Sequence, residues 1–458
     1  MRNSRSRLFG RGAGVAVVSA AMLVLAACGS GSDSSSSKSS ESAAAPADAP
    51  AGALKIGVLT TCGGPFATFE SQSFSGAKYA LIEQAGGKAD GTKAQDQVTG
   101  AKVGDTPLAI SYGCSDATPD KAVAETRRLV EKVGVKILLG PLSGDEGVAV
   151  ANYAKSHPDV TFVNGTSGAQ STTLQVKAPN FFRFGGDGAQ WLAGLGNYAY
   201  NEKGWRKVAI LGEDYSFPYT QAAGFVSEFT SLGGEVTSRT WVPLTQTDWS
   251  SPVAQLPRDV DGVLLLTGGS NTIAAEKAFI QIGKKPGDYL LGGAVVMDPT
   301  SFTVGDQLDG LVGASPVPVG SDSQDWKKYL DGFKKQFPDV DAQSLFTALY
   351  YDGMQAILEA LDQTGGKVDD PAAFQKALGS LKPNFPRGAV TLDENRNSVQ
   401  PNYVVQIVKK GGDLGFKLVS TIDDVDQTFG GLFGPDSPDP SRDQPAKATG
   451  NPPPWATK

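Results

Sequence analysis

His157 is the only histidine in the chain, and together with Cys28, Cys62 and Cys114 it sets narrow limits on the covalent and metal chemistry the sequence can support. Pro158 and Asp159 follow it in what reads as a helix-to-strand loop, so a Ser-His-Asp triad or a histidine-bound metal would have to be built on that one loop. No GxSxG, HExxH, Walker or GxGxxG pattern occurs. The paired acids Asp423 and Asp424 fall in a polar terminal stretch and read as solvated carboxylates. These residues argue for no enzyme, no cofactor and no metal centre, because a cysteine pair with one distant histidine is a poor ligand set. Cys62 and Cys114 each sit just past an expected strand, at 55–59 and 108–112, and the first two strands of a doubly wound sheet are usually neighbours. In an oxidising compartment a disulfide between them is expected, worth about 4 kcal/mol by chain entropy; two free buried thiols are the alternative.

The remaining polar chemistry lies in short loops of small residues, each at the end of an apolar strand. The stretch Leu54 to Ala77, LKIGVLTTCGGPFATFESQSFSGA, is the first: a strand with the β-branched bias of a buried parallel sheet, a turn forced by Gly63-Gly64-Pro65, and a helix. After a polar insertion from Gly86 to Asp105 the pattern repeats. A strand at 108–112 leads to a helix opened by Thr118-Pro119-Asp120, and a strand at 135–139 ends in Gly140-Pro141-Leu142-Ser143-Gly144. A strand at 160–163 then ends in Asn164-Gly165-Thr166-Ser167-Gly168. Four such units imply a parallel sheet with right-handed crossovers, which places these loops on one edge, where open α/β sheets bind ligands.

The pattern restarts after Phe184. Strands at 208–211, 236–242, 262–266 and 289–291 alternate with helices, with the loops Glu213 to Pro218 and Thr267-Gly268-Gly269-Ser270-Asn271 at strand ends. Helices follow at 325–337 and 345–361, then strands at 389–392, 403–408 and 416–419. A chain of 458 residues fits two lobes of this α/β kind plus appendages. The stretch from Phe433 is rich in Pro, Asp and Ser and is expected to be disordered.

The N-terminus reads as an export signal. Arg2, Arg5, Arg7 and Arg11 precede an uncharged Ala/Val/Leu-rich run, too short for the roughly 20 residues of a bilayer span. Its ending, Leu25-Ala26-Ala27-Cys28, resembles the lipobox of bacterial lipoproteins, which implies a leader over 1–27, lipidation of Cys28 and anchorage to the outer face of the cell membrane. Residues 28–52, rich in Ser, Ala and Pro, then form a tether. The formal net charge of −7 becomes −11 once the four leader arginines are removed, which argues against a nucleic-acid partner.

With these elements in view, the chain resembles the type 1 periplasmic binding proteins, specifically the branched-chain amino-acid (leucine/isoleucine/valine-binding) group of ABC-importer receptors, over roughly Leu54 to Ser420. The residues that carry the likeness are Gly64-Pro65, Phe69 and Phe74-Ser75-Gly76-Ala77 after the first strand, Asp116 and Pro119 to Val123, the Gly140/Ser143 loop, Asp214 to Phe217, Asp248-Trp249, and Arg387 to Asp393. The resemblance implies two doubly wound parallel-sheet lobes joined by three crossovers, near Phe184, Ala314 and Pro386. Lobe one would span 53–184 and 315–386, lobe two 185–314 and 387–432, with a tail at 433–458.

It also implies ligand contacts. Phe69 and Phe217 stand where the family places cleft aromatics, although both read equally as core residues. Ser143 and Gly144 hold the place of a hydroxyl and amide that grip a ligand carboxylate, and Ser167 and Gly168 the loop that completes the grip; backbone N–H groups at loop-to-helix junctions suit an anion. Ser270 and Asn271 complete the candidate set. Arg387 reads as a solvated charge. Where amino-acid binders carry a lobe-two acid for the ligand's ammonium, Leu291-Gly292-Gly293-Ala294-Val295 offers none, and the nearest acid is Asp298. The expected ligand is therefore an amino acid or another small carboxylate or amide, delivered by a monomeric receptor to ABC permease subunits; a ligand-sensing lipoprotein using the same cleft is the alternative.

Overall fold

The computed structural model describes residues 49–456 with the exception of 92. The leader, Cys28 and most of the tether lie outside the described residues. Among the described residues no helix is long and apolar enough to cross a membrane.

The first lobe is laid down as β1 (Leu54–Thr61), α1 (Phe69–Ala85), β2 (Thr106–Ser115), α2 (Pro119–Arg127), β3 (Ile137–Leu139), α3 (Gly144–Ala154), β4 (Thr161–Val163) and β5 (Phe181–Phe182). The sheet runs β2-β1-β3-β4-β5, all parallel, with the short strand Lys102–Val103 antiparallel on the β2 edge. Ile56, Val58, Ile137 and Leu139 are fully or almost fully buried, as expected of parallel strands covered by helices on both faces. The polar insertion at 86–105 is not a plain loop, since Lys88–Ala89 pairs with Val98–Thr99 as a small hairpin.

The second lobe follows as β6 (Lys207–Glu213), α4 (Ser216–Ser231), β7 (Glu235–Val242), β8 (Gly262–Leu266), α5 (Gly269–Gln281), β9 (Leu290–Gly292) and β10 (Val312–Ser315). The chain then returns to the first lobe for α6 (Gln324–Gln336), α7 (Leu345–Gln363) and α8 (Pro371–Gly379), with α7 packed along α1. It crosses a third time to add β11 (Ser398–Lys410) and β12 (Asp413–Val425) to the second sheet. The order there is β7-β6-β8-β9-β10-β11, parallel through β10 and antiparallel from β10 to β11. These last two strands are each 13 residues long, far longer than their apolar cores suggested, because a hairpin at a sheet edge continues its ladder into polar residues that the rest of the sheet does not bury.

The crossovers hold buried charge. Arg183, fully buried, donates to Ala169 O and Asn397 Oδ1 at 2.6 Å each and lies 3.7 Å from Asp187. Arg387 is 1% exposed, so the expectation of a solvated charge is corrected. Its Nε meets Asp352 Oδ2 of α7 at 2.5 Å, and its other nitrogens donate to Phe184 O and Gln400 Oε1. A guanidinium that can reach a carboxylate and two carbonyl oxygens at once is satisfied without water.

The stretch from Phe433, expected to be disordered, lies against the second lobe. Arg239 and Trp241 of β7 donate to Arg442 O, the Arg442 guanidinium pairs with Asp214, and Ala448 N donates to Thr230 Oγ1 at 2.8 Å. Trp455 packs edge-on against Phe429 with centroids 5.1 Å apart, and Phe433 is buried. The segment has no core of its own and packs on the back of the second lobe.

Candidate functional site

The parallel strands of both lobes end at a common cleft, and the loops there enclose a cavity. On the first-lobe side Phe69 opens α1 and stacks on Phe346 of α7, with centroids 3.8 Å apart, and Phe66 lies 6.0 Å from Phe69. On the second-lobe side Tyr215 and Phe217 stand at the start of α4, with Trp191 edge-on to Phe217 at 5.4 Å. Phe66 and Tyr215 approach to 6.1 Å across the cleft. The cleft is closed tightly: the space open to the centre of a water molecule is about 20 Å³, room for about one water. A ring-sized solute enters only as the lobes part.

The polar groups sit at two places on this aromatic frame. Ser143 lines the cavity as the N-cap of α3, and its backbone N–H donates to Glu146 Oε2 at 2.9 Å, the capping arrangement its spacing encodes. Thr61 Oγ1 also donates to Glu146, whose carboxyl is pushed up by burial. The N-terminus of an 11-residue helix thus points its partial positive charge at the cleft. From the other lobe comes Glu213, the last residue of β6. It is 1% exposed and is the one carboxylate among the described residues lining the cavity. Asn271 Nδ2 donates to its Oε1 at 2.8 Å and Gly268 N–H donates to the carboxyl, yet burial outweighs both and pushes Glu213 up to about 8.

Of the residues expected at the site, Phe69, Ser143 and Phe217 line the cavity. Gly144 does not, but it lets the two lobes meet: a side chain there would fall 2.5 Å from Ser216 Oγ and 3.0 Å from Phe217 N. Ser167 is fully buried behind the wall, its Oγ against Gly147 of α3 and its carbonyl accepting from Asn164 Nδ2 at 3.0 Å. Gly168 gives room to the Phe217 ring. Thr166 takes the lining position in that loop. Ser270 is exposed and off the cavity, and Asn271 acts through Glu213 rather than on the cavity itself. The turn at Gly269, with φ of +54°, points residue 270 outward; it is also where Pro65 O comes within 2.0 Å of a Cβ position.

Glu213 is one of the cavity-lining residues, with Phe66, Thr166, Trp191, Tyr215 and Phe346, that the sequence reading did not single out. Its signal was present, an acid closing an apolar strand directly before Asp214-Tyr215, but an acid was sought only at 291–295. Asp298, the nearest acid to that stretch, is 1% exposed and accepts from Ser344 Oγ at 2.6 Å, the N-cap of α7, so it is spent on joining the lobes. Cys62 and Cys114 form a disulfide at the carboxyl ends of β1 and β2, whose register pairs Thr60 with Cys114.

Two α/β lobes closing over an aromatic cavity at their strand ends define a solute-binding protein, and the chain belongs to the periplasmic binding protein family, which matches residues 53–413. Its two-lobed fold is that of the type 1 periplasmic binding proteins, and its curated relatives are of the Leu/Ile/Val-binding kind. It is 27% identical over 369 residues to Leu/Ile/Val-binding protein homolog 6 of Brucella melitensis, covering 79% of this chain and 89% of the relative. The solved structure of an ABC-transporter solute binding protein from Rhodopseudomonas palustris HaA2, in complex with p-hydroxybenzoic acid, is 25% identical with a TM-score of 0.73, covering 82% of this chain and 98% of that one. A leucine binding protein from Thermotoga maritima shares the fold at 18% identity and a TM-score of 0.67, covering 81% of this chain and 99% of that one. The family is one of solute-binding proteins, not enzymes.

Proposed function

We propose that this protein is the extracytoplasmic receptor of an ABC importer and that it captures a small aromatic carboxylate between its lobes, presenting the closed form to a membrane permease. The observation that carries this reading is the cavity wall: Phe66, Phe69 and Phe346 from one lobe face Tyr215 and Phe217 from the other, with Ser143 and the α3 N-terminus beside them. Rings on both sides suit a flat apolar body, and a helix N-terminus with a capping hydroxyl suits its carboxylate. The p-hydroxybenzoate complex of the R. palustris relative supports the same ligand class. Phe69, Phe217, Ser143 and Gly144 would contact the ligand or its closing walls, while Ser167 and Gly168 would hold those walls in place. Cys28 would carry the lipid that keeps the receptor at the outer face of the membrane.

A melting-temperature screen of the protein against benzoate, 4-hydroxybenzoate, leucine and valine tests the reading, since a ligand that binds only the folded form raises Tm. Upward shifts with the benzoates and none with the amino acids are expected. Stabilisation by leucine alone would refute the aromatic ligand class.

A further inference from the structure

The cavity is polar at two ends, and the two ends come from different lobes. Ser143 and the α3 N-terminus suit an anion. Glu213 is their opposite in kind, a buried carboxyl group on the second lobe, among walls otherwise supplied by rings and aliphatic side chains such as Leu266 and Val295. It is not a chance burial, because Asn271 Nδ2 at 2.8 Å and the Gly268 N–H fix the carboxyl in place. Thr267, its polar neighbour on the wall, is already engaged with Thr272 at 3.0 Å. A neutral carboxyl group keeps one O–H donor besides its acceptor positions, so two donors from the protein leave it able both to donate and to accept toward the cavity. Such a group, desolvated and held without a cation, favours a polar partner supplied from outside the protein.

We infer that Glu213 is the specificity-determining residue of the cavity, exchanging hydrogen bonds with a ring hydroxyl on the far side of an aromatic carboxylate whose carboxylate end lies at Ser143. This rests on the receptor reading above and sharpens it from aromatic carboxylates to hydroxylated ones. A hydroxyl fits better than an ammonium group: burial pushes Glu213 up to about 8, toward its neutral form, and a neutral acid pairs with a phenol without the ionisation an ammonium partner would require. A benzoate without a ring hydroxyl would leave Glu213 without an outside partner, and a methyl ether would leave it only the bond its own O–H donates.

The test is calorimetric titration of the full chain and of Glu213→Gln and Glu213→Leu with benzoate, 4-hydroxybenzoate, 4-methoxybenzoate and 4-aminobenzoate. The expected result for the natural protein is 4-hydroxybenzoate bound at least about tenfold tighter than benzoate or the methyl ether. That ratio should fall to about one in Glu213→Leu and stay partly intact in Glu213→Gln, which keeps an acceptor oxygen. Near-UV circular dichroism of both variants checks that they fold, and Glu213→Gln alone suffices if the leucine variant does not. Benzoate bound as tightly as 4-hydroxybenzoate by the natural protein, or an unchanged ratio in both variants, overturns the role of Glu213 and leaves the receptor reading standing. A preference for 4-aminobenzoate over 4-hydroxybenzoate also overturns it, in favour of an amine partner. Binding of none of the four carboxylates overturns the receptor reading and this inference with it.

Discussion

Asp145 Oδ1, in the first turn of α3 in the first lobe, accepts a hydrogen bond from Ser216 N, the first residue of α4 in the second, at 3.2 Å. Each helix start faces the other, and one carboxylate serves both: it favours the N-terminus of its own helix and caps the other.

This contact exists only while the lobes are together, so it contributes to closure and not to the fold of either lobe. Asp145→Ala is expected to weaken binding of the preferred carboxylate about fivefold by calorimetry, with Tm of the ligand-free protein changed little. Loss of Tm without loss of affinity would place the contact in folding instead.

Gly269 closes the other rim. Its φ of +54° is a left-handed conformation, and Pro65 O from the first lobe lies 2.0 Å from where a Cβ would stand. Gly269→Ala should therefore hold the lobes apart. Small-angle scattering with ligand is expected to show a larger radius of gyration than the natural protein, and affinity should drop at least about tenfold. A variant that compacts normally on ligand addition would refute the role of this approach.

The hinge carries stability. Removing one partner of a buried ion pair leaves the other charge unpaired, at a cost of about 3–5 kcal/mol, whereas removing both can be nearly neutral. Asp352→Leu is accordingly expected to lower stability in urea unfolding by that order, and Asp352→Leu with Arg387→Met to recover most of it. Phe184 O and Gln400 Oε1 lose their donor in the double variant, so recovery should be incomplete.

Stability should fall as pH rises through the neutral range. Glu228 is buried on α4, accepts from Gly194 N and Gly196 N, and is pushed up to about 8 by burial; Glu213 is raised to about 8 in the same way. An unfolded glutamate titrates near about 4.3, so between there and about 8 the folded protein holds protons the unfolded chain has released. Their contribution is full below the lower value and is lost as pH passes the upper. Chemical unfolding at pH 5.5, 7 and 8.5 is expected to show a steady decline, flatter in Glu228→Gln. A rise in stability over this range would contradict the protonated state assigned to these groups.

How much of this could be read in the sequence depends on whether a residue's role is local. Strand, loop and helix alternate with patterns only a parallel sheet satisfies, so β1 to β4 were legible; the Ser143–Glu146 cap that starts α3 at Gly144 was not read. The Cys62–Cys114 pairing followed from neighbouring strands. What failed was long-range. Whether Arg387 is solvated depends on Asp352, 35 residues away, and where the stretch after Phe433 lies depends on Arg239, Trp241 and Asp214, some 200 residues earlier. Ser270 and Asn271 were adjacent in sequence, but the turn at Gly269 sends one to solvent and the other to Glu213. Glu213 was visible as a residue, yet only the closing of one lobe over the other turns a strand's last acid into part of a cavity.

The direction of β1 has one more consequence. Parallel strands deliver their carboxyl ends to the cleft, so the chain enters the first lobe at Leu54 on the side away from it. Leu54 therefore lies at the end of the first sheet opposite Phe69 and the α3 N-terminus, and what precedes it joins the protein on the face that the ligand does not use.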